Sequence, residues 1–135
     1  MLRLMGTSDK AALNDRIAAA RQFATQHEVI LLLKGGRSLV AAPDGRVFLN
    51  STGNAGLGTA GAGDTLTGVV AGFLAQTHSL DRVSALNTVM AALYISGLAG
   101  DLAARELGMR CMVASDIREH LSAAICSIDP RGEQP

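Results

Sequence analysis

The feature that most restricts how this chain folds is Val29-Ile30-Leu31-Leu32-Leu33, an unbroken apolar run that stops at Lys34-Gly35-Gly36. Side chains alternate between the two faces of a strand, so such a run predicts a strand buried on both faces, as in a parallel sheet. A strand of that kind needs neighbours, and the rest of the chain offers few. Ser38 to Ala42 and Arg46 to Leu49 read as two short strands, and Pro43-Asp44-Gly45 between them supplies turn chemistry for a hairpin. One buried strand and a hairpin make a small sheet for the helical sequence around them. The expected architecture is therefore α/β, either the C-terminal part of a larger, truncated fold or a chain that gains strands by association.

The helical segments follow from period and caps. Thr7-Ser8-Asp9 predicts an N-cap, with Leu13, Ile17, Ala20 and Ala24 at helical spacing and an end near His27. A second helix is expected from about Ala62 to Gln76, burying Leu66, Val69, Val70, Phe73 and Leu74. A longer one runs from Asp81 to Leu107, with Leu86, Val89, Met90, Leu93 and Leu98 on one side and Gly108 as its stop. A last helix is expected from Ser115 to Ser127. Residues 1–128 then form one domain portion and 129–135 a flexible tail.

The 135 residues are 48% hydrophobic and 18% charged, enough apolar material for a core. The formal net charge is zero and aromatics make up 3%, which argues against nucleic acid and against an anionic membrane surface as partners. No apolar run approaches the roughly 18 residues of a membrane span. Met1 to Gly6 is too short for the apolar region of a signal peptide, so a cytoplasmic protein is expected. Cys111 and Cys126 lack metal-like spacing and read as ordinary thiols. His27, His78 and His120 are scattered, and no transition-metal site is predicted. Asp101 reads as part of a packing or surface network, and Asp116 as a helix-start residue.

Seven of the fifteen glycines fall between Gly53 and Gly72. Within them, Thr59-Ala60-Gly61-Ala62-Gly63-Asp64-Thr65 is a glycine-rich turn feeding a helix N-terminus. Unpaired N–H groups and the helix dipole make such a turn an anion site. It matches neither the Rossmann fingerprint nor a P-loop. Asp64 stands in the first helical turn. Beside a bound phosphate, its carboxylate is placed to accept a proton from an attacking hydroxyl. The plainer alternative is that Asp64 only caps the helix or offsets its dipole. Lys34, one of two lysines, closes the apolar strand, at the strand end where α/β ligands gather. For Lys34 alone, an exposed lysine before a turn is the commoner case.

Taken together, Leu33-Lys34-Gly35-Gly36-Arg37-Ser38-Leu39-Val40, Pro43-Asp44-Gly45 and the stretch from Asn50 through Gly53-Asn54-Ala55-Gly56 to Gly61-Ala62-Gly63-Asp64 and Gly68 resemble the ADP-dependent NAD(P)H-hydrate dehydratase family. Gly97-Leu98-Ala99-Gly100-Asp101 and Ala114-Ser115-Asp116 resemble further family segments, and the likeness runs from Leu2 to about Leu121. It implies the C-terminal part of a ribokinase-like three-layer α/β/α fold. It also implies ADP- or ATP-dependent dehydration of hydrated NADH or NADPH, with Mg2+ carried by the nucleotide. Carried over by position, Asp64 is the catalytic carboxylate and a substrate contact. Gly61, Ala62 and Gly63 form the anion hole. Lys34, Gly35, Gly36, Arg37 and Ser38 line the adenine-nucleotide site, with Gly63 beside the phosphates.

The departures are Ser51 and Ala55 at common prolines, Gly58 at a common alanine, Ser38 at a common threonine and Ser96 at a frequent histidine. Family members also carry a long N-terminal stretch with further strands, so a truncated chain is expected here. It would act as a homo-oligomer or by pairing with the missing half. Two alternatives share the same turn: a ribokinase-like kinase for a vitamin precursor or sugar, and a non-catalytic fragment that binds a nucleotide or pairs with a partner.

Overall fold

The computed structural model describes residues 1–129, so the expected tail lies outside the described residues from position 130 onward. The chain divides into two compact units, Met1–Asn50 and Ser51–Pro135.

In the first unit, Asp9 accepts the Ala11 N–H at 2.9 Å, but it caps only a 3-10 turn, Lys10–Leu13. The helix proper, α1 (Arg16–His27), has its own cap in Asp15, which accepts the Ala18 N–H at 2.9 Å. The helix expected to run from Asp9 is thus two segments, because the sequence holds two competing Asp caps. Three strands follow: β1 (Leu31–Leu33), β2 (Leu39–Ala41) and β3 (Val47–Leu49), in the order β1-β2-β3 and antiparallel throughout.

The hairpin forms as expected. Leu39 pairs with Leu49 and Ala41 with Val47. Gly45 takes the tip with φ +87°. Asp44 accepts the Arg46 N–H at 3.0 Å and its Nε at 2.8 Å, and those bonds hold the Asp44 carboxyl below its ordinary value.

The expectation for residues 29–33 is corrected. β1 is antiparallel to β2 and only half-buried, and Val29 is 39% exposed. The strand buried along its whole length is β2, which has ladder partners on both edges, whereas β1 pairs along one. Alternation puts Leu31, Leu33, Leu39, Ala41 and Val47 on one face, where they pack against Ala20 and Ala24 of α1.

The second unit is helical: α2 (Ala62–Ala75), α3 (Arg82–Leu107), α4 (Ala114–Glu119) and α5 (Leu121–Cys126). α3 is its axis and packs against the other three. Asp81 caps it. The Ser84 and Ser79 hydroxyls and the Ser84 and Val83 N–H groups all donate to the Asp81 carboxylate, Ser84 most strongly, and hold it well below the usual range. Gly108 ends the helix as expected, its N–H bonded to the Ala104 carbonyl at 2.9 Å. The buried residues of α3 run well beyond the predicted stripe and include Ala92, Ile95, Ala99, Gly100 and Ala103.

α3 also qualifies by length and composition as a membrane span, with a window of mean hydropathy 1.4, contrary to the expectation from uninterrupted runs. Half of that window is buried inside the protein, the pattern of a core helix. Ile95, Ala99 and Ala103 form its main core with Ala62, Met112, Ile117 and Ala124.

The last helix is broken at His120 rather than continuous. Asp116 stands at its start as expected, accepting the Val113 N–H at 2.7 Å. Nδ1 of His120 lies 2.7 Å from the Asp116 carbonyl, which already accepts the His120 N–H, and Nε2 lies 3.0 Å from Glu106. Both ring nitrogens face acceptors, so the imidazolium satisfies both. The bond to Glu106 is the chief cause raising the His120 pKa. A raised folded-state value means the contribution is complete below about 6.5 and is lost as pH rises through the folded value. Urea unfolding across roughly pH 6 to 8.5 checks this. The stability lost in Glu106→Gln is expected to be largest at the acid end and to shrink upward. A pH-independent difference would contradict the pairing.

Candidate active site

The site is built on the N-terminus of α2. A 3-10 turn, Ala55–Gly58, leads into it. The Thr59 N–H donates to the Gly56 carbonyl at 3.2 Å, and the Ala62 N–H to the Thr59 carbonyl at 3.4 Å. Gly61 is the N-cap residue with φ +82°, a left-handed conformation that costs a side-chain-bearing residue about 1–2 kcal/mol. A Cβ at Gly61 would also lie 3.1 Å from Cβ of Ala114. Ala62 is buried to 4% exposure in the core with Ile95, Met112 and Ile117, so its methyl anchors the turn.

Gly61, Gly63 and Asp64 are exposed, and their N–H groups carry no hydrogen bond to a described residue. Those amides and the helix dipole can receive an anion. Asp64 sits in the first turn, and its side chain makes no hydrogen bond to a described residue. The plainer account of it as a capping residue therefore lacks its hydrogen bond. What stands at the turn is a set of outward N–H donors beside an uncommitted carboxylate.

The glycine cluster divides by role. A Cβ at Gly56 would meet Met112 Sδ and, at 2.9 Å, the Met109 carbonyl, and one at Gly53 would meet Leu57 Cδ1 at 2.8 Å. These two are needed for packing. At Gly58, Gly68 and Gly72 a Cβ meets nothing within 4 Å.

Lys34, Gly35, Gly36, Arg37 and Ser38 lie in the first unit, on the loop between β1 and β2. Lys34 through Arg37 are exposed and Ser38 is half-buried. Sequence reasoning missed what holds this loop: Arg16 of α1 donates to the carbonyls of Leu33 at 3.3 Å, Lys34 at 3.0 Å and Arg37 at 3.1 Å. Its guanidinium fills the space a Cβ on Gly35 would need and brings positive charge to the loop.

Asp101, expected in a packing or surface network, holds the loop ahead of the turn through Gly53 and Asn54. Ser96 is 6% exposed, the one buried polar residue among the described residues. Among the described residues no three His, Cys, Asp or Glu side chains gather as a metal site.

Comparison with known proteins bears on this arrangement. The family model for NAD(P)H-hydrate dehydratase matches residues 1–123. The bifunctional NAD(P)H-hydrate repair enzyme Nnr of Moorella thermoacetica is 40% identical over 133 residues, covering 98% of this chain and 24% of that protein. The ADP-dependent (S)-NAD(P)H-hydrate dehydratase of Bacillus subtilis is 32% identical over 119 residues, covering 88% and 41% respectively. The solved ADP/ATP-dependent NAD(P)H-hydrate dehydratase of Bacillus subtilis, co-crystallised with ATP/Mg2+ and soaked with CoA, superposes with a TM-score of 0.82 at 30% identity. That match covers 93% of this chain and 45% of the other. The chain thus spans between about a quarter and less than half of these relatives' length. With a matching family model over nearly its whole length and the same fold in the solved relative, the chain belongs to the NAD(P)H-hydrate dehydratase family.

Proposed function

We propose that this chain carries the phosphate-binding and catalytic end of an ADP- or ATP-dependent dehydratase acting on hydrated NADH or NADPH. The observation that carries the reading is the α2 N-terminus, where the free N–H groups of Gly61, Gly63 and Asp64 stand beside an exposed, uncapped carboxylate. The anion hole receives the transferring phosphoryl group. Asp64 accepts the proton of the substrate hydroxyl as its oxygen attacks phosphorus. The nucleotide leaves one phosphate shorter. Elimination then breaks the C–O bond of the new ester, releases inorganic phosphate and a proton from the neighbouring ring carbon, and restores the double bond of the reduced nicotinamide, a net loss of water from the substrate.

Lys34, Gly35, Gly36, Arg37 and Ser38 contact the adenine nucleotide in this reading, and Gly63 its phosphates. Mg2+ arrives on those phosphates, since a nucleotide-borne hard cation needs few protein ligands. Residues 1–128 make up the C-terminal portion of one nucleotide-binding domain. The protein works in the cytoplasm and associates through the outer edge of β1, which has no ladder partner among the described residues. The relatives' names favour this reading over a small-molecule kinase or a non-catalytic fragment.

The test is a chimera in which residues 1–123 replace the matching segment of the Bacillus subtilis enzyme. With ADP, Mg2+ and hydrated NADH, the expected result is recovery of reduced-nicotinamide absorbance and release of phosphate. A folded chimera that binds ADP yet restores no NADH contradicts the proposal. Accumulation of a stable phosphorylated substrate would point to the kinase instead.

A further inference from the structure

We propose that Asp101, late in α3, is a positioning residue for the Gly61–Asp64 turn, acting through Gly53 and Asn54. Both of its carboxylate oxygens are committed to the loop: Oδ2 accepts the Gly53 N–H at 2.8 Å and Oδ1 accepts Asn54 Nδ2 at 2.9 Å. Asn54 uses its remaining groups the same way. Its Nδ2 also donates to the Gly100 carbonyl at 2.9 Å, and its Oδ1 accepts the Gly56 N–H at 2.9 Å. Just upstream, Thr52 Oγ1 donates to the Tyr94 carbonyl at 2.8 Å. Just downstream, Leu57 packs where Gly53 and Gly100 have no Cβ; one built on Gly100 would lie 2.5 Å from Leu57 Cδ2.

From there the hydrogen bonds step along the backbone into the site. Gly56 receives the Thr59 N–H, and Thr59 receives the Ala62 N–H at the first residue of α2. A carboxylate on α3 thereby sets where the loop ends and where the free N–H groups of Gly63 and Asp64 point. Asp101 touches no reacting group. Its effect on turnover rests on the proposed dehydratase activity, whereas its effect on the turn does not.

Two variants separate this from plain stabilisation. Asn54→Ser keeps a hydroxyl to receive the Gly56 N–H but loses both bonds made by Nδ2. Asp101→Asn opposes one amide donor to another. At a temperature where each variant is fully folded, both single variants are expected to shift the Gly61, Gly63 and Asp64 amide resonances of the nucleotide-free chain. They are also expected to weaken ADP·Mg2+ binding about tenfold. If one single variant fails to fold, the other carries the measurement. Unmoved turn resonances overturn the proposal, and so does ADP·Mg2+ binding that stays at wild-type strength in both single variants. If the wild-type chain binds no ADP, the resonances alone decide. If the wild-type chimera binds ADP without dehydrating the substrate, the dehydratase proposal fails while this one stands or falls on the resonances.

Discussion

Under the proposed function, Asp64→Asn is expected to leave nucleotide binding in place and to lower dehydration by about 10²–10⁴-fold, the range over which a positioned general base contributes. The substitution is nearly isosteric and removes the proton acceptor together with its charge. Because the Asp64 side chain bonds no described residue, losing its charge costs the helix little beyond the dipole interaction, about 0.3–1 kcal/mol at an exposed site. Binding is expected to survive because the N–H donors belong to the backbone, and removing a negative charge near them cannot repel phosphate. Single-turnover kinetics on the chimera, beside calorimetric ADP titration, separate the two effects. Equal turnover would remove Asp64 from the chemistry, and a parallel loss of binding would make it a binding residue only.

The second large effect is at the N-cap of the same helix. Gly61→Ala forces a Cβ into a φ of +82° and within 3.1 Å of Ala114 Cβ, where α4 begins. The left-handed conformation alone costs about 1–2 kcal/mol. Relief by rotating the turn re-aims the free N–H groups, so ADP affinity is expected to fall about tenfold as the melting temperature drops. Gly58→Ala is the matched control: its φ is not left-handed and its Cβ would meet nothing within 4 Å, so both quantities should stay near wild type. Thermal unfolding and ADP titration of the two variants check this. Similar losses in both would show that the loop tolerates no added carbon anywhere, rather than a particular demand at Gly61.

Features set by neighbours in sequence were legible from the residues. Gly61 with Asp64 in the following turn marked the helix start, Pro43-Asp44-Gly45 marked the hairpin, and Asp81 and Gly108 bounded α3. Features set by distant partners were not. The Val29 to Leu33 run reads as a strand buried on both faces, but among the described residues it is β2 that has ladder partners on both edges and is buried along its length. Nothing in the local sequence announces that Arg16 serves three carbonyls of the β1–β2 loop, or that Asp101 serves Gly53 and Asn54. The glycine cluster was the most ambiguous signal. Its density pointed to a ligand, yet Gly53 and Gly56 are required by Leu57, Met112 and the Met109 carbonyl. The anion-binding case rests on Gly61 and the open N–H groups after it, not on how many glycines surround them.

The most direct test of that case is an amide chemical-shift titration of the isotope-labelled chain with ADP and Mg2+. The Gly61, Gly63 and Asp64 N–H resonances are expected to move furthest among those of the second unit, in the direction expected for amides donating to phosphate, and to do so in Asp64→Asn as well. Saturating ADP that leaves those three resonances in place while shifting others would contradict it.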